Sequence, residues 1–464
     1  MKKYLLLILI GLCQLGFAQE NRIIETPKVD RRMELLSIVF RLAGNEEYNG
    51  AFFKKYTDRV DAHFNAFRGH ELIQFAKELH RKGISYDAVA SMAVFLDERL
   101  KPVIDFSTAL PRNRWTKEDA TKFVTLLQKF YKDAKCDAFF KENEAFYQEV
   151  AIRFQPAYKS LDFNWFLTFF GNKADDNFKI LLSPGCGGHN YGPSYSPAHA
   201  KREVFAIMGT WRVDETGMPV YDEKEYLPLL VHEFSHSFVN VLLEKNEALF
   251  EESGKNIYQA MEYEMSRQQA YGNWNIMLNE ALVRASVIKY FMDHGASELE
   301  TSRMIVQEFN RGFIWIKGLV DELKRYETNR NEYPTLESYM PALSNTYKKM
   351  AEAVSQYDAQ RPTVESIVEF ANNTAQVSPQ LKTITINFDR PLDGKGYSVN
   401  YGNKGKSTYP KIDSIFYTKE NKSVVMNVQL KPNMEYQMVL IGNNFKTSQG
   451  YRLKPYEVNF KTTE

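Results

Sequence analysis

Two histidines four positions apart, with a glutamate directly after the first, are residue types that can do metal chemistry. Here they are His232 and His236 with Glu233, inside Leu227–Leu243 (LPLLVHEFSHSFVNVLL). Residues four apart on an α-helix share a face and stand about 6 Å apart along the axis, so both imidazoles can reach one ion. Glu233 sits one step round the helix. There it can address a water on the metal rather than the metal itself, taking the proton as that water attacks a carbonyl. Leu229, Leu230, Val231, Val239, Val241, Leu242 and Leu243 make the helix apolar nearly all round, which predicts burial. Histidines and a glutamate are costly there unless something satisfies them, and a metal does. The plainer account is two core histidines bonded to backbone, with Glu233 paired to a base.

A hydrolytic zinc site has three protein ligands and an open fourth position. The next buried helix, around Trp274–Arg284 (WNIMLNEALVR), offers Glu280, whose neighbours Met277, Ala281, Leu282 and Val283 are apolar. Glu280 and Arg284 are four apart and can pair, so a simple salt bridge is the alternative to a ligand role. The expected metal set is His232, His236 and Glu280, binding Zn2+, with Glu233 as general base. Candidates for a transition-state donor are His189, Tyr191, Tyr271 and Arg284, which sequence does not rank.

The elements that must position these groups can be read in order. Residues 28–160 show helical periodicity. Arg32–Leu42 stops at Gly44-Asn45, and Asp58–His80 runs to Gly83. Ser85 is a candidate cap for a helix through Leu96, and Thr116 for the next, with Glu118 and Asp119 in its first turn. His63, His70 and His80 lie on this region at spacings that do not chelate. Phe178–Leu182 reads as a strand, followed by a glycine-rich loop, Gly185-Cys186-Gly187-Gly188-His189-Asn190-Tyr191-Gly192. No Gly-Lys-Ser/Thr follows, so it is not a phosphate loop, but such a loop can present His189 and Tyr191 at a site rim. Glu203–Trp211 is a second strand. Strand, loop, then metal helix is an order in which a free strand edge can pair with an extended substrate. Beyond Val377 the pattern changes to short alternating strands: Lys382–Asp389, Ser414–Thr418, Val424–Leu430, Glu435–Ile441 and Glu457–Thr463. These predict a small β-sandwich.

Lys2 and Lys3, the apolar Tyr4–Leu15 and the small residues Gly16 and Ala18 form a signal peptide pattern, with cleavage expected after Ala18. Lipidation at Cys13 ranks second because Leu12 before it is bulky. No later stretch is long and apolar enough to span a membrane. The formal charge of +1 becomes −1 without the two lysines, which gives no argument for nucleic acid or an anionic surface. Cys136 and Cys186 remain and could pair. Phe 32 and Tyr 27 point to large cores rather than a ligand cage.

His232-Glu233-x-x-His236 followed by Asn279-Glu280 resembles the gluzincin group of zinc metallopeptidases. That resemblance implies zinc held by the two histidines and the later glutamate, with the motif glutamate as base. Metzincins would need Gly at 239 and His at 242, where this chain has Val239 and Leu242. Glu280 follows His236 by 44 positions, longer than in well-known gluzincins. Arg284 stands where a second acid is familiar. The block from about Glu34 to Glu369 is also similar to a group of exported bacterial proteins known as a domain of unknown function. It carries Glu34-Leu-Leu-Ser-Ile-Val-Phe-Arg-Leu-Ala-Gly44, Gly83-Ile-Ser-Tyr-Asp87 and the zinc motif. The C-terminal stretch, through Leu381–Pro391, Gly450–Leu453 and Phe460–Thr463, resembles bacterial immunoglobulin-like modules.

These readings predict an α+β chain. A signal peptide over 1–18 precedes an N-terminal helical region at 19–160. A mostly helical zincin-like region with a small sheet follows at 161–374, then an Ig-like β-sandwich at 377–464. The expected function is an exported, periplasmic or extracellular zinc metallopeptidase acting on peptide or protein, with no nucleic acid and no membrane span. The alternatives are a binding or adhesion protein with a structural or inert metal helix, and a zinc-dependent esterase or amidase on a wall component.

Overall fold

The computed structural model describes residues 24–464 apart from 51, 172–175, 270 and 419. The leader expected over 1–18, its cleavage after Ala18 and Cys13 lie outside the described residues. The chain is α+β, about half helical with small sheets, and it divides into two compact units. One holds 1–167 and 173–234, the other 168–172 and 235–464. Among the described residues no helix is long and apolar enough to cross a membrane.

The first unit opens with β1 (Lys28–Val29) and α1 (Arg31–Ala43). Asp30 caps α1, accepting from the N–H groups of Arg32 and Met33, both at 3.0 Å. Gly44 closes it in the left-handed region at φ 95°, which glycine adopts without strain. The single periodic run expected over Asp58–His80 is in fact two helices, α2 (Lys54–Phe64) and α3 (Glu71–Arg81). A 3-10 turn at Asn65–Phe67 and Gly69 separate them, and His70 caps α3 through its Nδ1, 3.1 Å from the Leu72 N–H. Then comes α4 (Asp87–Val94), shorter than expected. It starts after Tyr86 at φ 51°, ψ −120°, so Tyr86 rather than Ser85 takes the cap position. Thr116 caps α5 (Lys117–Asp133) on the Asp119 N–H at 3.1 Å, as its sequence position suggests. The helices α6 (Cys136–Glu142), α7 (Glu144–Lys159) and α8 (Phe163–Phe170) follow. Cys136 and Cys186 are both buried free thiols, so the possible pairing is not made.

A four-stranded mixed sheet completes this unit, in the order β1-β2-β4-β3. Here β2 is Asn177–Leu182, β3 is Ser194–Tyr195 and β4 is Glu203–Met208. β2 and β4 run parallel from Asn177↔Glu203 to Leu182↔Met208. Phe178, Ile180, Leu182, Val204, Ala206 and Met208 are buried on it. The β2–β3 loop doubles back antiparallel to β4. The Tyr191 N–H donates to the Ile207 carbonyl at 3.0 Å and the Ile207 N–H to the Tyr191 carbonyl at 2.8 Å.

Helix α9 (Glu223–Lys245) begins in the first unit and ends in the second. The second unit continues with α10 (Glu247–Ala260), α11 (Trp274–Asp293), α12 (Glu298–Asn310), α13 (Ile316–Thr328) and α14 (Leu336–Gln360). Two four-stranded sheets follow α14. One has the order β5-β7-β10-β9 and the other β6-β12-β11-β8. The strands are β5 (Val364–Ile367), β6 (Thr374–Val377), β7 (Thr383–Phe388), β8 (Val399–Asn400), β9 (Lys411–Tyr417), β10 (Ser423–Gln429), β11 (Glu435–Leu440) and β12 (Tyr456–Thr462). Alternate residues point inward: Ile384, Ile386 and Phe388 on β7, Val424, Met426 and Val428 on β10. They share one apolar core with Tyr436, Met438, Leu440, Val458 and Phe460 of the other sheet.

Candidate metal centre

Helix α9 is held at its start by local and stacking contacts. Asp222 Oδ1 accepts from the Lys224 N–H at 3.0 Å. Tyr226 stacks on Trp211 with ring centroids 4.0 Å apart, and its hydroxyl donates to the Gly209 carbonyl at 3.0 Å. Leu230, Val231, Phe234, Val239, Leu242 and Leu243 are buried, as the apolar pattern implies. His232, Glu233 and His236 are partly buried. Helix α11 is capped by Asn273, whose Oδ1 accepts from the Ile276 N–H at 2.9 Å.

The two helices bring three donor groups together. One ligand-capable atom from each of His232, His236 and Glu280 lies within 4.8 Å of the other two. His236 Nε2 is 3.3 Å from Glu280 Oε1. Its other ring nitrogen, Nδ1, is 3.2 Å from Asn240 Oδ1 one turn along α9. With Nδ1–H donating to that oxygen, Nε2 keeps its lone pair and points it at the triad. Asn240 thus offers an acceptor for the tautomer that would leave Nε2 free to bind an ion. Two neutral imidazole nitrogens and a carboxylate oxygen are the donor chemistry of a zinc site with an open position.

The far side of Glu280 is built as carefully as the near side. Glu280 Oε2 accepts from the Tyr271 hydroxyl at 3.1 Å and from the Arg284 guanidinium at 3.3 Å. Arg284 also donates to the Tyr271 oxygen at 2.9 Å and to Glu308 Oε2 at 2.9 Å, and its guanidinium lies 5.1 Å from the centre of the Phe313 ring. Burial opposes the Arg284 charge, but Tyr271, Glu308 and Glu280 outweigh it and hold the group protonated. Burial and the nearby Glu280 carboxylate push the Tyr271 phenol up to about 12. Arg284 thus serves as a brace behind Glu280. The pairing with Glu280 that the four-residue spacing allows is made, with Glu308 as a second partner.

Glu233 follows His232 directly on α9. Its Oε2 rests against the backbone of Gly192, so close that a Cβ at that position would overlap it. Gly192 belongs to the loop that runs antiparallel to β4. Its neighbours Tyr191 and Pro193 turn their hydrogen-bonding groups to Ile207 and Phe205. Adjacent strand residues point opposite ways, so Gly192 turns its own N–H and carbonyl outward. The loop is anchored from beneath by Glu34, whose Oε1 accepts from the Ser183 hydroxyl at 2.7 Å and the Gly185 N–H at 3.0 Å.

The other two sequence candidates sit elsewhere on that loop. His189 is half-buried, with its ring edge-on to Tyr86 at 5.2 Å, and burial lowers its pKa. Tyr191 is 7% exposed and its hydroxyl has Cys186, Glu47 and Tyr48 as electrostatic neighbours. The structure therefore brings together His232, His236, Glu280, Tyr271 and Arg284, and sets Tyr191 in the interior of the first unit. Sequence reasoning missed Asn240, Glu308, Phe313 and Gly192. Asn240 alone left a readable signal, an amide four positions after a candidate ligand histidine.

A family model described as a domain of unknown function (DUF4932) matches residues 26–346. No curated protein matches the chain. Among solved structures, the chain is 14% identical to one described as "Structure of surface layer protein SbsC, domains 1-6", with a TM-score of 0.17, covering 81% of this chain and 46% of that one. It is 13% identical to the "Crystal structure of the N-terminal part of the bacterial S-layer protein SbsC", at a TM-score of 0.17, covering 81% and 79%. The chain spans about half the length of the first of these. Overlap at that TM-score bears on neither fold nor function.

Proposed function

We propose that this chain, which belongs to the DUF4932 family, is an exported zinc-dependent peptidase of the gluzincin type. One observation carries the reading: His232, His236 and Glu280 converge from two helices, and Glu233 stands beside that set against an outward-facing strand. A structural zinc site would fill all four positions with protein ligands and would have no use for Glu233. Zinc, when bound, supplies Lewis acidity that polarises a scissile carbonyl and acidifies water. The remaining work falls to side chains and backbone. Gly192 offers its N–H and carbonyl to an extended peptide, which adds alongside the loop. The Glu233 carboxylate takes the proton of the attacking water and passes it to the leaving amine as the C–N bond breaks. Tyr271 and Arg284 hold Glu280 from behind. In this reading the helical part is zincin-like and the two C-terminal sheets form an immunoglobulin-like module. The basic and apolar opening of the chain directs export.

The test is a metal assay followed by a cleavage screen on mixed peptides, with and without chelator. One zinc per chain and chelator-sensitive amide cleavage are expected. Zinc without turnover of any peptide would overturn the assignment in favour of a binding protein. Turnover confined to esters or wall components would move it to an esterase or amidase.

Gly192→Ala tests the loop separately. The added methyl displaces the Glu233 carboxylate, and a misplacement near 1 Å costs about 100-fold in rate. The expected result is kcat/KM down by about that factor, with zinc content unchanged in the same preparation. Full activity in Gly192→Ala would show that Glu233 needs no fixed seat.

A further inference from the structure

The C-terminal sheets reach Glu280 through two chains of contact, the first through the buried Arg361 and the second across the surface at Asn310. The first starts at Arg361, just past the end of α14, which is 3% exposed. Its guanidinium donates to the carbonyls of Arg452 and Leu453, both at 3.1 Å, on the loop before β12. The same group pairs with Glu264 at 2.5 Å. Glu264 lies in a π-helical turn, Tyr263–Gln268. Such turns are rare and cluster at functional sites. This one delivers Tyr271, whose N–H donates to the Met265 carbonyl at 2.8 Å and whose carbonyl accepts from the Tyr258 hydroxyl at 2.8 Å. Tyr271 then donates to Glu280 Oε2.

The second chain starts at Arg452. Its guanidinium lies 4.9 Å from the centre of the Phe309 ring and donates to the Asn310 side chain. Two residues before Asn310, Glu308 pairs with Arg284, which donates to the same Glu280 oxygen. Gly312 ties the two chains together. A Cβ there, at φ 105°, would fall 2.8 Å from both Glu264 Cβ and Met265 Cε, so the loop after α12 packs directly on the π-helical turn. Both routes converge on the oxygen of Glu280 that faces away from His236.

We infer that the C-terminal sheets are a working part of the metal centre, with Arg361 and Arg452 as positioning residues for Glu280. This rests on the zinc reading above and adds to it. A ligand carboxylate contributes fully only if its orientation is set before the ion arrives, and buried salt bridges set orientation better than they stabilise. Neither arginine touches the triad, so each acts through Tyr271 or Arg284.

The experiment measures zinc affinity on the full chain with a competing chelator, alongside melting temperature and the split of kcat and KM. Glu264→Gln keeps size and hydrogen bonding and removes only the charge. It is expected to weaken zinc binding by about tenfold, the lower end of the range for groups that orient ligands. Arg361→Met is expected to do the same. Lys404→Met, which breaks an exposed pair with Glu435 on the same module, is the control and leaves zinc affinity unchanged. His236→Ala separates the two claims. Wild-type protein that binds zinc no better than His236→Ala removes the metal reading and this inference with it. Wild-type that binds through His236, with Glu264→Gln and Arg361→Met within twofold of it, removes this inference alone. Should both variants fail to fold, hydrogen exchange on the wild type decides. Coupling is reciprocal, so zinc slows exchange at 263–271 and at 450–454 if the sheets are engaged, and leaves both segments unchanged if they are not.

Discussion

Glu233→Gln is expected to lower kcat by about 10²- to 10⁴-fold while the protein keeps its full zinc content. The size follows from the role. The amide has nearly the shape of the carboxylate but cannot accept a proton, so water must be deprotonated by the bulk. Retention of zinc follows from geometry, because the triad is His232, His236 and Glu280, without Glu233. Steady-state rates on the best peptide from the screen and zinc by atomic emission on the same sample check both halves. Activity within tenfold of wild type would remove the general-base assignment. Loss of zinc together with activity would instead make Glu233 part of the coordination set.

Glu280→Ala is expected to do the opposite, losing the metal first. Zinc bound by four protein ligands is worth roughly 10–16 kcal/mol, so one ligand accounts for about 3 kcal/mol, or on the order of 100-fold in affinity. The loss of fold should be smaller than the loss of metal. Arg284 keeps Glu308 and the Tyr271 oxygen when the Glu280 carboxylate is gone, so no buried cation is stranded. Equilibrium zinc titration, with circular dichroism on the metal-free protein, separates the two effects. A variant that binds zinc as tightly as wild type would show that the ion, if present, sits elsewhere.

Much of this centre could be read from residue spacing, and the reason is local geometry. His232 and His236 share a face because they are four apart on a helix, and nothing distant is needed to say so. Glu280 was legible because a carboxylate flanked by Ala281, Leu282 and Val283 must be buried and therefore satisfied. The inward alternation on β7 and β10 was equally plain. What sequence did not show depends on contacts between segments far apart in the chain. Nothing near Arg284 announces Glu308, 24 positions on. Nothing in the glycine-rich loop says that Gly192, rather than His189 or Tyr191, meets the motif glutamate. The π-helical turn at Tyr263–Gln268 read as a polar stretch, because its partners Arg361 and Gly312 lie far along the chain. The split of Asp58–His80 was missed for a smaller reason. His70 supplied a cap through a ring nitrogen, where serine, threonine, aspartate or asparagine is the usual sign.

The two buried thiols, Cys136 and Cys186, set how the folded chain meets its redox surroundings. Cys136 is fully enclosed, with burial pushing it up to about 12, and Cys186 is raised by burial and by the neighbouring Glu34. Such sulfurs are almost never thiolates at neutral pH, so they neither attack nor are attacked in exchange reactions. In the folded chain neither sulfur is placed to form a bond with the other or with an outside thiol. The fold around Cys136 and Cys186 should therefore tolerate reducing and oxidising surroundings alike, which melting temperatures with and without reductant would show as equal.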